Sequence, residues 1–340
     1  MGPLERLVGS LRRRFQTFPD KRHGTNVRYE MADIGASAFS VFFMGSPSFL
    51  AHQRRLEEGH GRSNCETLFG LSGIPSDNHI RAMLDPADPS LLEPVYGDVL
   101  RELEQVGGLS PFQRLADQHV LIALDGTEYF CSQNIHCPQC SKRARAGGKT
   151  EYFHAMLGAT LVAPGHQKVV PLPPEFIAPQ DGAEKQDCEN RAAHRWLLSH
   201  AVSYAHLNPV YLGDDLFSRQ PLCAAVLAQN AHFIFVCKPT SHPLICEYIA
   251  GAELESHAIA VKHGRERVTH RYRWISQVPL RDGKDALAVN WFEIEIVNAA
   301  GKVNYRNSFI TDLVTGANFR AGGSQGLKNM IQARDDRTRP

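Results

Sequence analysis

Two acidic residues stand where apolar runs give out, Asp125 in "LIALDGT" and Asp214 in "VYLGDDLF". Carboxylates at the ends of two neighbouring strands present hard oxygen donors, which suit Mg²⁺ or Mn²⁺. Two such ions ~3.5–4 Å apart activate an attacking oxygen and stabilise a leaving oxygen on phosphorus. Aspartate also ends strands simply as a turn former, so either residue alone has an ordinary structural explanation. Asp215 follows directly, and on a continuing strand it points to the opposite face. Asp214 is the expected partner of Asp125, with Asp215 as the alternative.

A second cluster lies in "CSQNIHCPQCSKR", where Cys131, His136, Cys137 and Cys140 fall within ten residues. The CxxC spacing of Cys137 and Cys140 lets two thiolates clasp one tetrahedral Zn²⁺. His136 adjoins the pair, and Cys131 and His154 are further candidates to complete four ligands. Two reduced cysteines in a loop would read the same way. A redox pair fits less well, because the motif does not open a helix.

Three other stretches carry charge in suggestive places. "QDGAEKQDCE" sets Asp181, Glu184, Lys185, Asp187 and Glu189 around a helix start, where the helix dipole favours acids; a catalytic role for one of them is the alternative. Lys238 and His242, in "VCKPTSHP", follow an apolar strand; reaching DNA phosphate or a flanking nucleotide is one reading, simple surface exposure the other. "RVTHRYRW" puts Arg267, Arg271 and Arg273 on one face of a strand, with Tyr272 and Trp274 on the other. That suits a DNA-facing hairpin, or an ordinary half-buried strand.

The elements that must position these residues can be read from periodicity. Residues 1 to about 115 look helical, with a break near Gly45-Ser46-Pro47. "SNCETLFGLSGIPSDNHIRAMLD" reads as two short helices about a Gly-containing turn, the second capped by Ser76 or Asp77. Such a unit resembles a DNA-binding helix-turn-helix. From His119 the texture changes. "HVLIALDG" is a buried strand, "TEYFHAMLGATLVAP" and "HQKVVPLPPEF" a hairpin beside it, and "EKQDCENRAAHRWLLSHAVSYA" a helix. On that helix Ala192, Trp196, Leu197 and Val202 lie on or near one face. "PVYLGDDLF", "QPLCAAVLAQN" and "AHFIFVCKP" continue as strand, helix, strand.

This order is that of an RNase H-like fold, in which carboxylates on the first and fourth strands converge. The expected class is α+β or α/β: a helical, DNA-binding region over 1–115, an RNase H-like catalytic core over 116–243, a β-rich insertion over 244–313 and an aberrant, disordered tail over 314–340. Asp282-Gly283 and Ala300-Gly301 are the turn signals within the insertion.

Composition sets outer bounds. With 340 residues, 43% of them hydrophobic, the chain can bury a sizeable core. A net charge of +1 does not mark a nucleic-acid binder by bulk charge, but the charge is uneven. Arg6, Arg12, Arg13, Arg14, Lys21, Arg22 and Arg28 outnumber Glu5, Asp20 and Glu30 in the first 30 residues. Such a segment meets phosphates, or is a solvated, frayed terminus. The N-terminus does not read as a signal peptide, and no 18-residue apolar run suggests a membrane span. Eight scattered cysteines then point to reduced thiols and a cytoplasmic, nucleoid-associated protein.

Four blocks in order, "LIALDGTEYFCSQNIHCPQCSKR", "LPPEFIAPQDGAEKQDCE", "YLGDDLFSRQP" and "FIFVCKPTSHP", resemble the DDE transposases of bacterial insertion sequences, in the loose group labelled not classified yet. The resemblance spans roughly residues 30–313. It implies an RNase H-like catalytic domain, a helical region that binds the element's terminal repeats, and Mg²⁺-dependent cleavage and joining of double-stranded DNA, with a homodimer on the DNA. The family's first two acids match Asp125 and Asp214. Its third is a Glu on a late helix, within a Tyr, two residues, Arg, three residues, Glu, six residues, Lys pattern. None of the nine tyrosines here has Arg three positions on, and no Glu follows Glu295. Glu293 and Glu295 fall in a strand. The expectation is a chain truncated or frameshifted near Leu313, lacking one metal ligand and cleaving weakly or not at all. A remnant that only occupies terminal repeats, as an inhibitor, is the competing reading. A zinc-stabilised nuclease unrelated to transposition is a third.

Overall fold

In a computed structural model of the chain, the described residues are 2–23, 27–59, 63–114, 119–179, 188–263 and 266–313. The expected disordered tail, 314–340, lies outside them, as do Asp181, Glu184, Lys185 and Asp187. The chain divides into two compact units, 1–108 and 109–340.

The first unit is helical: α1 (Pro3–Gln16), α2 (Met31–Phe43), α3 (Phe49–Gly59), α4 (Asn64–Thr67), α5 (Asp77–Leu84) and α6 (Glu93–Gln105). Pro3 opens α1, Glu5 lies in its first turn and Arg13 and Arg14 in its last, each placed as the helix termini favour. Val8, Leu11 and Phe15 repeat at helical spacing and are buried. The basic leading segment is therefore a packed helix rather than a frayed terminus. Arg6 pairs with Glu102 at 2.6 Å and Arg12 with Asp33 at 2.7 Å. Gly35 on α2 lets Phe15 approach, since a Cβ there would meet the ring at 2.1 Å.

The expected helix-turn-helix does not form as two helices about a tight turn. The first element, α4, is a single turn, and residues 68–76 separate it from α5. Ser76 does cap α5, accepting the His79 N–H.

The second unit carries one mixed twelve-stranded sheet. Its strands are β1 (Gln113–Arg114), β2 (His119–Ser132), β3 (Ser141–Ala144), β4 (Thr150–Val162), β5 (Val170–Pro171), β6 (Glu175–Ile177), β7 (Pro209–Gly213), β8 (His232–Val236), β9 (Glu255–His263), β10 (Glu266–Pro279), β11 (Ala288–Asn298) and β12 (Val303–Thr311). Among the described residues, α-helices α7 (Glu189–Tyr204), α8 (Gln220–Ala228) and α9 (Pro243–Ala250) intervene. The strand order is β3-β4-β2-β7-β8-β12-β11-β10-β9, with β5 and β6 also on β4 and β1 on β2. β2, β7 and β8 run parallel; β4 is antiparallel to β2 and β12 to β8. The class is mixed α and β.

Two expectations change here. The β-rich segment is not a body inserted apart from the core. β12 pairs with β8, so β9–β12 prolong the same sheet. Asp125 is not at a strand end either, because β2 runs on to Ser132, paired with β4 throughout.

One face of the sheet is packed by Leu121, Val162, Val210, Leu212, Ile234, Tyr272, Trp274, Phe292 and Phe309 in a continuous cluster. Helix α7 buries Ala192, Ala193, Trp196, Leu197, Ala201 and Tyr204. Val202, expected on that face, is 75% exposed. Six residues beyond Trp196 is some 240° around a helix, which turns it away. Trp196 is fully buried, and its indole N–H donates to the Pro173 carbonyl at 2.7 Å. Trp196→Ala should cost about 3–5 kcal/mol, through the cavity and the orphaned carbonyl. Urea unfolding of the full chain measures it.

Candidate metal centres

The parallel ladder of β2 and β7 fixes the first centre. Its last pair is Ala123↔Leu212. Two residues further on each strand stand Asp125 and Asp214, at equivalent positions just past the point where the ladder ends. The carboxyl ends of parallel strands open a crevice of this kind in α/β sheets. Asp125 is exposed there and Asp214 half-buried.

The choice between Asp214 and Asp215 is legible in their hydrogen bonds. The Asp215 carboxylate accepts the Lys238 N–H at 2.7 Å and the Ser241 hydroxyl. The Asp215 carbonyl accepts the Ser218 hydroxyl at 2.6 Å, and that hydroxyl also meets His242 Nε2 at 2.6 Å. Ser218 and His242 are buried. Asp215 thus ties the turn after β7 to the loop after β8, and His242 is part of that tie rather than a surface group facing solvent. The Asp214 carboxylate instead accepts a local bond, from the Leu216 N–H at 2.8 Å.

A third carboxylate lies near the pair, against the next residue of β2 and so on the strand's other face. Glu189, the first residue of α7, lies directly against Gly126: a Cβ on that glycine would meet its Cδ and Oε1 at 2.2 Å. Burial holds the Glu189 carboxyl above its ordinary range, and the negative charges of Asp214, Asp125 and Glu128, in that order, push it further. Its sequence neighbourhood explains it as a helix-start acid; only the fold places it beside Asp125. The signal that could have found it is the glycine after Asp125, which leaves room for a side chain from another element.

The second centre is on the outer half of the β2–β4 hairpin. Cys137, Cys140 and His154 come together: the Sγ atoms are 3.8 Å apart, and His154 Nε2 lies 3.4 Å from Cys137 Sγ and 3.3 Å from Cys140 Sγ. These three could hold a metal ion. Cys131 and His136 are not brought into the group. Strand alternation is the reason for Cys131: it pairs with Phe153, whereas His154 pairs with Phe130, so the two project to opposite faces. Cys131 meets Arg143 instead. His136 stacks on Tyr152, ring centroids 4.2 Å apart. Tyr129, the extra residue of a bulge in β2, stacks on His154 at 5.7 Å.

The basic strand is also partly committed. Tyr272 and Trp274 are buried in the core while Arg267 and Arg271 are exposed on the other face. Arg273 is bonded to Glu293, which is buried and also receives Arg306 at 2.7 Å. Lys238 is exposed. No helix among the described residues is long and apolar enough to cross a membrane. No family model matches the chain, and no curated protein matches it.

The two adjacent aspartates should separate in a stability experiment. Asp215→Ala should cost about 1–3 kcal/mol, since it strands the donors of Lys238 and Ser241. Asp214→Ala should cost under about 1 kcal/mol, because one local bond is lost while repulsion on Glu189 is relieved. Equal losses in urea unfolding would refute the division of labour.

Proposed function

We propose that the chain is a DDE-type DNA transposase with an RNase H-like catalytic core, in which Asp125, Asp214 and Glu189 hold Mg²⁺ or Mn²⁺. The observation behind this reading is a neighbourhood of three carboxylates: Asp125 on β2 and Asp214 just past β7 at matching positions, and Glu189 at the start of α7, near enough for both charges to act on it. The donor set fits: all are oxygen ligands, and Glu189, raised first by burial and then by the neighbouring acids, is a carboxyl whose charged form a divalent cation would favour. The bound ions supply activation of water, or of a DNA 3′-hydroxyl, and neutralise charge on the phosphate. Asp125 and Asp214 stand at matching positions past the end of the β2–β7 ladder. Glu189 lies against Gly126, and Asp215 with Ser241 and Ser218 with His242 brace the turn that carries Asp214.

Glu189 supplies the third acid that the late part of the sequence does not. It sits on the helix after the hairpin, not on a late helix, so the family's usual arrangement is departed from. Double-stranded DNA, as terminal repeat and target, is the proposed partner, bound by a homodimer. Arg267, Arg271 and Lys238 are the exposed basic side chains proposed to meet phosphate, with Arg273 held back by Glu293. A second ion, zinc, belongs to the sulfur and nitrogen donors of Cys137, Cys140 and His154.

The competing reading, a remnant that binds element ends without cutting them, is favoured by the lack of any Glu after Glu295. A cleavage assay on terminal-repeat DNA with Mg²⁺, beside a gel shift, separates the two. Binding without cleavage would leave only the remnant.

Losing even an outer-shell partner of a metal site costs about 10–100-fold, so Asp125→Asn, Asp214→Asn and Glu189→Gln should each reduce cleavage at least about 100-fold. Wild-type rates in Glu189→Gln would remove it from the site. Gly126→Ala offers a finer probe. The added methyl displaces the far end of a flexible side chain and should leave stability within about 1 kcal/mol, yet lower cleavage on the order of tenfold or more.

A further inference from the structure

The outer hairpin has a composition problem. Between Gln133 and Lys149 only Cys140 and Ser141 are buried, and Ile135 is 70% exposed. The segment's only strand is β3, four residues laid on β4. Its backbone bonds outside β3 are local: the Asn134 and Ile135 N–H groups donate to Ser132 Oγ, and Cys140 N–H to the Cys137 carbonyl. Arg143 pairs with Glu128 and Glu151, and Arg145 with Glu151, but partly exposed ion pairs of this kind stabilise little. Seventeen ordered residues lose on the order of 1–2 kcal/mol of backbone entropy each, and no apolar core is present here to offset it. A short loop of this kind needs another source of order.

The three ligand atoms supply one. A tetrahedral zinc with Zn–S near 2.3 Å and Zn–N near 2.0–2.1 Å has S···S edges of about 3.8 Å and S···N edges of about 3.5 Å. The observed edges are 3.8, 3.4 and 3.3 Å. The three edges together match one face of that tetrahedron. The Cys137 N–H also points at Cys140 Sγ, 3.3 Å away, a bond that favours the thiolate. On the far side of His154 the Tyr129 ring stacks on the imidazole and fixes its plane.

From this geometry we infer that one zinc ion, held by Cys137, Cys140 and His154, is the core of the hairpin tip and folds it. The inference rests on the zinc assignment above but not on strand transfer. The three protein ligands occupy one face of the tetrahedron, and Cys137 at its edge is exposed, so the fourth vertex opens to solvent and takes water. The tip is then a folding unit of its own. β2 and β4 are anchored at their inner ends by Leu121, Leu157, Leu161 and Val162, which are buried whether or not the ion is bound. Removing zinc loosens residues 133–149 and leaves the sheet intact.

The test uses the full chain. Metal analysis after purification should find about one zinc per chain. Cys140→Ser and His154→Ala should each lower it at least about tenfold, while Cys131→Ser and His136→Ala keep it. Stripping zinc with a chelator should speed amide exchange across 133–149 on the order of tenfold or more, with exchange over 119–124 and 209–213 unchanged; re-adding zinc restores the tip. Any of three results overturns the inference: no zinc, zinc lost equally from the Cys131 or His136 variants, or tip exchange indifferent to the chelator. Loss of protection through the whole sheet overturns it as well. DNA cleavage is measured separately with Mg²⁺. A chain that binds zinc as described but cuts nothing sinks the transposase reading alone.

Discussion

The parallel pairing of β2 with β7 is the constraint on which the first centre depends. Four residue pairs, from Val120↔Pro209 to Ala123↔Leu212, lock the strands side by side, and both are buried through that stretch except at Ala123. Burial on both faces makes the register expensive to shift, because a one-residue slip would turn Leu121 and Leu212 out of the core. Once the ladder is fixed, Asp125 and Asp214 stand at matching positions just beyond its end. Everything else around them adjusts to that fact. Gly213 is closely approached by Phe217, Gly126 is bare to admit Glu189, and Asp215 turns away to hold the next loop.

Such an arrangement is unfavourable on its own. Carboxylates gathered at one place repel, and partial burial of Glu189 adds to the cost by disfavouring its charged form. A protein selected for stability alone would place Gln at 189 and keep the helix-start hydrogen bonding. Retaining an acid there makes sense where a cation answers the charge. The zinc group follows a different logic. Its donors come from a tight CxxC turn and a strand already in place. The ordering entropy falls on the turn, and the strand contributes His154 at no further cost.

How far the sequence carried the fold is visible element by element. The apolar runs of β2, β7 and β8 and the amphipathic β10–β12 are legible, since burial on one or both faces leaves a period of one or two. The turns at Gly283 and Gly301 are legible too, both at positive φ as a glycine permits. What could not be read is the length of β2. Its second half is mostly exposed and polar or aromatic, "GTEYFCS", and only pairing with β4 makes it a strand. That one misjudged length moved Asp125 from a strand end to a strand middle and obscured the parity that excludes Cys131. The continuity of β12 with β8 is equally invisible locally, because a pairing between Thr311 and Ile234 spans a separation no window contains. Glu189 was seen but read as a capping charge. Local chemistry explains it fully, and only the tertiary approach of α7 to Gly126 gives it a second meaning.

The two centres share a strand, and that gives their chemistry an order. Asp125 and Phe130 lie on the same hairpin, five residues apart, roughly 16 Å at ~3.3 Å per residue. The inner group is all oxygen, while the Cys137, Cys140 and His154 group is sulfur and nitrogen, so donor softness would favour different ions at the two. The separation also matters electrostatically. At ~16 Å the zinc group lies beyond about one Debye length of the carboxylates at physiological salt. Its charge does not set their affinity, and any influence must travel through the strand itself. The bulge at Tyr129 sits between them, where β2 is free to bend. A loosened tip would accordingly leave Asp125 in register, held by Leu121 and Ile122.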